Sequence, residues 1–348
     1  MKPITCLLGA VIPVLLCSFL SWPPQNEVII FSQFWQEKTL SERPLATITE
    51  ITPDGLALQD DSLLFVRAKD GSNYHFSVMN LHPTQWTGRH MPTGNGHGQS
   101  SAFISYGLHQ ERLWVYDLFK DKLVVEPLQP QAGSPTAVQE FVLPAFYYSL
   151  QMINDSMALG SGDYDATHKL ALINYRQGSV IRQILPYYNP EGNDDRAWKS
   201  AYESFLFLKP GADKCVLACR YADQIEIVDL PSGQSKTIKG PENYSPDVTA
   251  INQADGKEIS ARNYKTRFAF VKGKVTDHYI YLLYSGNNHE TSHRESGKYL
   301  YVFDWNGAPL QKITLQQYAL DFAVSSDDKK IYLYHPGNKQ LSVAELQL

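Results

Sequence analysis

His289-Glu290-Thr291-Ser292-His293 is the stretch whose residue types and spacing most directly suggest chemistry. Two His four apart with a Glu between them can hold zinc and activate a water, provided a helix projects both rings from one face. Here Gly286-Asn287-Asn288 precedes the stretch and Arg294-Glu295-Ser296-Gly297 follows it, and strong strand sequences lie on either side. No apolar helical period flanks it, so it reads as a solvated loop between strands. Metal capture by His289 and His293 is the chemistry left to it.

Three other stretches resemble parts of known sites. Asp163-Tyr164-Asp165-Ala166-Thr167 opens like a calcium loop but lacks the later Gly and Glu, so it reads as a polar hairpin. Gly94-Asn95-Gly96-His97-Gly98-Gln99 has neither the Lys-Ser/Thr ending nor the following helix of a phosphate loop. Its glycines suit a chain reversal through positive φ. Asp61-Ser62-Leu63 and Asp155-Ser156-Met157 resemble O-glycosylation acceptors of exported proteins, and both fall where a turn is expected. No Gly-x-Ser-x-Gly elbow is present. The sequence names no cofactor.

The elements that must position these residues are strands. The chain has 348 residues, 21 of them Tyr, with 19% charged residues and a formal net charge of −5. That balance is globular, aromatic-rich and without the basic footprint of a nucleic-acid binder. An apolar strand, a polar turn carrying an acidic residue and a second apolar strand recur along the chain. The turns centre on Asp61, Glu111, Asp155, Asp213, Asp277 and Lys329. Steps of roughly 40 to 65 residues fit four-stranded propeller blades with loop insertions. After each turn comes an apolar run such as Leu113-Trp114-Val115-Tyr116 or Tyr279-Ile280-Tyr281-Leu282, suited to a strand buried on both faces. The last blade lacks a fourth strand before Leu348, and Ala46 to Ile51 is a spare β-like segment able to supply it. Closing the ring in this way removes exposed sheet edges. The expected fold is therefore all-β, a six-bladed propeller closed by an N-terminal strand.

Ser325-Ser326-Asp327-Asp328-Lys329-Lys330-Ile331-Tyr332 resembles the Ser-Pro-Asp-Gly-Lys-Lys-Ile turn of TolB-like repeats. Gly94 to Gln99 is similar to the Gly-x-Gly-x-Gly-Glu signature of exported bacterial six-bladed propellers of the TolB-like and NHL-like kind. It departs from that signature at His97, where Pro is usual, and at Gln99, where Glu is usual. The resemblance implies a cell-envelope location and no fixed activity.

The N-terminus agrees with export. Lys2 is followed by an apolar run from Ile4 to Trp22, ended by Pro23-Pro24. Val14-Leu15-Leu16-Cys17 looks like a lipobox with Leu16 in place of a small residue, so Cys17 is a candidate for lipidation. The expected organisation is an export or lipoprotein signal or anchor over 1–22, a linker over 23–44 and the propeller over 45–348. The protein is then periplasmic or attached to the outer membrane, touching membrane only through its N-terminal segment. Cys215 and Cys219 lie on one strand, too far apart to pair, and read as buried thiols.

A propeller usually binds at the mouth of its channel. The loops expected there carry Arg89, His97, Gln99, Tyr147, Tyr148, Tyr187, Tyr188, Trp198, Arg220, Tyr221, Tyr264, Arg267, His289 and His293. Aromatic residues beside Arg suit a glycan, a peptide or an anionic ligand. The expected function is a non-catalytic envelope module binding a ligand or another envelope protein. The alternative is a metal-dependent hydrolase or lyase with its site at the same mouth. That reading requires three or four carboxylate, Asn or His ligands converging from different blades.

Overall fold

A computed structural model describes residues 27–68, 73–128, 138–187, 196–254 and 256–348. Among these, six antiparallel sheets follow one another along the chain over 53–92, 103–142, 149–186, 204–239, 270–319 and 321–345. These are blades one to six. The innermost strands are Pro53–Gln59, Phe103–His109, Ser149–Met152, Ser204–Leu208, Phe270–Val275 and Asp321–Val324.

Each expected acidic turn falls between the first and second strands of its blade. Asp60, Asp61, Gln110, Glu111, Ala212 and Asp328 all take positive φ there. Turn hydrogen bonds such as the Ala212 amide donating to Lys209 O at 2.8 Å, and polar side chains at the other five positions, make that conformation tolerable. The second strands that follow are almost wholly buried, because they sit mid-blade with a neighbouring blade on each face.

The core is six apolar clusters, one at each blade interface. Phe65 and Phe76 of blade one meet Phe103 and Val115 of blade two. Val216 and Ile225 of blade four meet Phe270 and Leu282 of blade five. Cys215 and Cys219 are buried free thiols on the second strand of blade four. Burial pushes the Cys219 thiol up to about 11, so it stays protonated.

Three short strands precede blade one: β1 (Glu27–Ile30), β2 (Gln36–Thr39) and β3 (Arg43–Thr47). β3 pairs antiparallel with Gln340–Glu345, Leu341 facing Ala46, and closes the ring. This is the expected closure, displaced a few residues towards the N-terminus. The expectation of a linker up to residue 44 needs correction. β1 runs parallel along the outer strand of blade four and β2 along that of blade five, so both blades have five strands. An added outer strand buries little, which is why Gln36-Glu37-Lys38-Thr39 shows no apolar alternation. The strap is fixed instead by Phe34 and Leu40, 5% and 2% exposed.

Two pieces stand outside the ring pattern. A short helix, Arg196–Ala201, lies between blades three and four. A hairpin of Val248–Asn252 and Glu258–Arg262 lies between blades four and five and packs on that helix. Ser260 ties them together, its amide donating to Ser200 Oγ at 2.9 Å. Among the described residues no helix is long and apolar enough to cross a membrane. Residues 1–26, with Cys17 and the apolar run, and Tyr188 lie outside the described residues.

Candidate binding site at the channel mouth

The blade-to-blade connections and the loops between second and third strands share one face of the ring. Tyr148 stands just before the innermost strand of blade three, and Glu203 just before that of blade four. Arg220 and Tyr221 follow the second strand of blade four, and His289 sits in the corresponding loop of blade five. The hairpin adds Ile259, Ser260 and Arg262. Together these residues line a cavity of about 420 Å³.

Arg220 is its centre. Its Nη1 donates to Tyr148 Oη at 2.6 Å and to Glu203 Oε1 at 3.1 Å. Tyr164 Oη donates to the other oxygen of Glu203 at 3.3 Å. The rings of Phe205, Tyr221 and Phe268 have centroids 5.3, 5.4 and 5.8 Å from the guanidinium carbon. Burial by itself disfavours the charge, but the oxygens of Tyr148, Tyr221 and Glu203 outweigh it and hold the guanidinium protonated. Burial likewise pushes the Tyr148 phenol well above its ordinary range, so it stays neutral.

The cavity retains unspent hydrogen-bonding capacity. Arg220 Nε and His289 Nδ1 are both buried with no partner among the described residues. The His289 ring is held parallel to Phe268, 7° between planes and 6.1 Å between centroids. Arg262, on the hairpin, donates to Tyr221 Oη at 3.2 Å. Arg220 and Arg262 face Glu203 in the lining, and the more exposed Glu295 places Oε1 3.9 Å from Arg220 Nη2. A buried guanidinium with an unused Nε–H beside an unpartnered imidazole nitrogen suits a ligand that brings acceptors.

Of the residues expected at the mouth, Tyr148, Arg220, Tyr221 and His289 come together in this cavity. Others lie elsewhere. Arg89 is exposed on the outer strand Thr84–Pro92, opposite Ser77, because that strand runs further than the sequence suggests. His97 and Gln99 belong to the connection between blades one and two. There His97 Nδ1 lies 3.4 Å from Glu140, and Gln99 Oε1 accepts from the Gly96 amide at 2.9 Å. Tyr264 is 60% exposed. Arg267 is spent on Glu242, on Gly286 O at 3.1 Å and on the Tyr244 ring. Tyr147 is buried, and its amide donates to Tyr116 Oη at 3.2 Å. Tyr187 and Trp198 line a different cavity, between blades three and four.

The His289–His293 stretch is a run of turns, as expected of a loop, and its two rings have different partners. His293 stacks on Tyr318, 4.1 Å between centroids and 2° between planes, while His289 stacks on Phe268. The calcium-like loop is a hairpin whose Asp165 pairs with Lys257 at 2.9 Å. Among the described residues no three His, Cys, Asp or Glu side chains gather as a metal ligand set. A cavity of about 290 Å³ on the channel axis is bordered by all six innermost strands, with Tyr106, Gly107, Phe207 and Gly273 among its lining. Lys274 reaches across it to Leu56 O at 2.7 Å and lies 3.8 Å from Asp321.

Sequence reasoning missed Glu203, Ser200 and the hairpin. Ser200 and the hairpin occupy insertions outside the repeat, while Glu203 immediately precedes the innermost strand of blade four, the position Tyr148 holds in blade three. The one available signal was length: the step from Asp213 to Asp277 is the longest between blade turns.

The sequence profile of the family described as TolB-like 6-blade propeller-like matches residues 31–327. No curated protein matches the sequence. Among solved structures, a member of the DUF4221 family from Bacteroides vulgatus is similar, with 12% identity and a TM-score of 0.56 over 88% of this chain and 98% of that one. The β-propeller domain of Cps50 (Swd1) from Myceliophteria thermophila is similar too, with 11% identity and a TM-score of 0.51 over 88% and 100%. At these identities both likenesses concern the fold.

Proposed function

Since the chain belongs to the TolB-like family of six-bladed propellers, we propose that it is a non-catalytic binding module of the cell envelope, taking an acidic ligand at the channel mouth. One observation carries the reading. Arg220 Nε and His289 Nδ1 line one cavity and are both buried without partners among the described residues. A buried donor left unsatisfied costs about 1–3 kcal/mol, so such groups in a native fold call for an explanation. A carboxylate or similar anion accepts from Arg220 Nε, and from His289 in the tautomer that carries its proton on Nδ1, and Arg262 adds charge beside them. Envelope location is supported by Lys2 and the apolar run after it, with Cys17 as the proposed lipid attachment point. The wider partners of such a module are glycans, peptides or envelope proteins carrying an acidic group.

The test is a thermal-shift screen of the full chain against acetate, glutamate, galacturonate and a short peptide with a free C-terminus, each beside its neutral amide or alcohol. A ligand bound only by the folded state raises Tm by mass action. The reading requires at least one acid to raise Tm while its neutral counterpart does not. Equal shifts within every pair, or none at all, would overturn it.

A further inference from the structure

A second cavity, of about 280 Å³, opens between blades three and four. We infer that it is a saccharide-binding site, distinct from the mouth cavity and built on Trp198, Tyr202, Tyr187 and the Lys169–Glu226 pair. The inference starts from what this blade interface contains. Part of it is apolar like the others, with Leu159 and Leu170 against Leu206 and Leu217. Beside that cluster the packing gives way to a cleft with charged walls. Glu226 is 6% exposed, yet it is ionically paired with Lys169 Nζ at 2.7 Å and accepts from Ser235 Oγ at 2.8 Å. Packing alone does not call for a charge pair here, since apolar residues of similar size are commonly as stable or more so. A cleft that retains the pair beside aromatic rings has the composition of a ligand site.

The rings come from one insertion. Trp198 lies on the short helix and Tyr202 just after its end, and both line the cleft. Their centroids are 5.4 Å apart at 49°, and Tyr187 meets Trp198 edge-on at 6.5 Å and 78°. Rings at different tilts give apolar surfaces with polar edges rather than one flat slot, and Lys199 Nζ lies over the Tyr187 ring, 5.0 Å from its centroid. Gln224, which both donates and accepts, lines the cleft between them and the ion pair. The ligand that uses all three features has an apolar C–H face to lie on a ring and a rim of hydroxyls that both donate and accept. That describes a sugar ring. The volume is near the lower end for ligand pockets, which suits a short saccharide. Glu203 lines this cavity and the mouth cavity alike, with Oε2 turned to Tyr164 and Oε1 to Arg220.

The experiment is a glycan array probed with the full chain, followed by calorimetric titration of the best neutral oligosaccharide into wild type, Trp198→Ala, Gln224→Leu and His289→Phe. Circular dichroism melts verify folding, and Trp198→Leu stands in if the Ala variant does not fold. Binding is expected in wild type. It should weaken by roughly tenfold or more when the aromatic anchor is removed, and clearly in Gln224→Leu. His289→Phe, which alters only the mouth cavity, should leave it unchanged. Absence of any saccharide binding, or affinity retained in the folded Trp198 and Gln224 variants, overturns the inference. Loss in His289→Phe alone would place the sugar at the mouth and overturn it as well.

Discussion

Glu42 Oε2 and His335 Nε2 lie 2.5 Å apart although 293 residues separate them in sequence. The contact joins the N-terminal strap to the last blade. Ser342 Oγ donates to the same carboxylate oxygen at 2.7 Å, His335 Nδ1 faces Tyr318 O at 3.2 Å, and the Gln316 amide donates to Glu42 Oε1 at 3.1 Å. The Glu42 and His335 side chains are only 5% and 1% exposed. Burial works against the Glu42 charge, but the hydrogen bonds from His335 and Ser342 outweigh it, so its carboxyl is held below the usual range.

Removing Glu42 takes the shared carboxylate from His335, Ser342 and the Gln316 amide, leaving His335 Nε2 only Ser342 Oγ at 2.9 Å. Glu42→Ala is expected to cost about 1.5–3 kcal/mol in urea unfolding at pH 7. Because the folded-state value is lowered, this stability is present above the unfolded value and is lost as pH falls through the folded one. The gap between wild type and Glu42→Ala should accordingly narrow in strongly acidic buffer. A gap that stays constant down to acid pH would show that the carboxylate charge is not what holds the strap.

The strap itself should divide into two energetic parts. Removing residues 1–33 takes away β1 but keeps Phe34, Leu40, β2 and β3, so the ring stays closed. A folded monomer with a modestly lowered Tm is expected. Removing residues 1–47 also strips β3 from blade six and opens an edge. Size-exclusion chromatography should then show aggregation or an unfolded chain. Equal behaviour of the two truncations would contradict closure by β3.

Asp223 gives a pH dependence of the opposite sign. It is 1% exposed, and its Oδ2 accepts the amides of Glu242 and Asn243 at 2.7 and 2.9 Å while Oδ1 has no partner among the described residues. Burial, aided by the nearby Glu242 charge, pushes its carboxyl up to about 6 against those backbone bonds. The folded state therefore holds the proton more tightly than the unfolded one. Stability should fall as pH rises from about 4 to 6, by about 3 kcal/mol on one group. Asp223→Asn keeps an acceptor for the two amides and cannot ionise. It should be more stable than wild type at pH 7.5 and close to it at pH 4, in chemical denaturation at both pH values.

The fold was legible because its signals are local. An acidic turn such as Asp60-Asp61-Ser62, followed by a doubly buried strand, marks each blade by itself. The strap was not legible, since four-residue outer strands such as Gln36–Thr39 bury almost nothing and leave no period to read. Half of the site followed from the repeat, which fixes the loops that reach the mouth and so brings in Tyr148, Arg220, Tyr221 and His289. Arg89 failed for want of a strand boundary. Arg262 could not be found, because long-range packing of a hairpin on a helix places it and no repeat position encodes it; Glu203 holds the position of Tyr148, directly before an innermost strand, and was passed over for want of that strand's boundary.

The most direct measurement is calorimetric titration of the strongest-binding acid from the thermal-shift screen into wild type and His289→Phe. Phe preserves the stacking on Phe268 but removes the unsatisfied Nδ1. A loss of one hydrogen bond to a charged ligand is worth about 1.5–3 kcal/mol, so affinity should drop by roughly tenfold to a hundredfold, while the ligand-free Tm holds or rises as the unsatisfied group is removed. Unaltered affinity in a folded His289→Phe protein would contradict the placement of the ligand at the channel mouth.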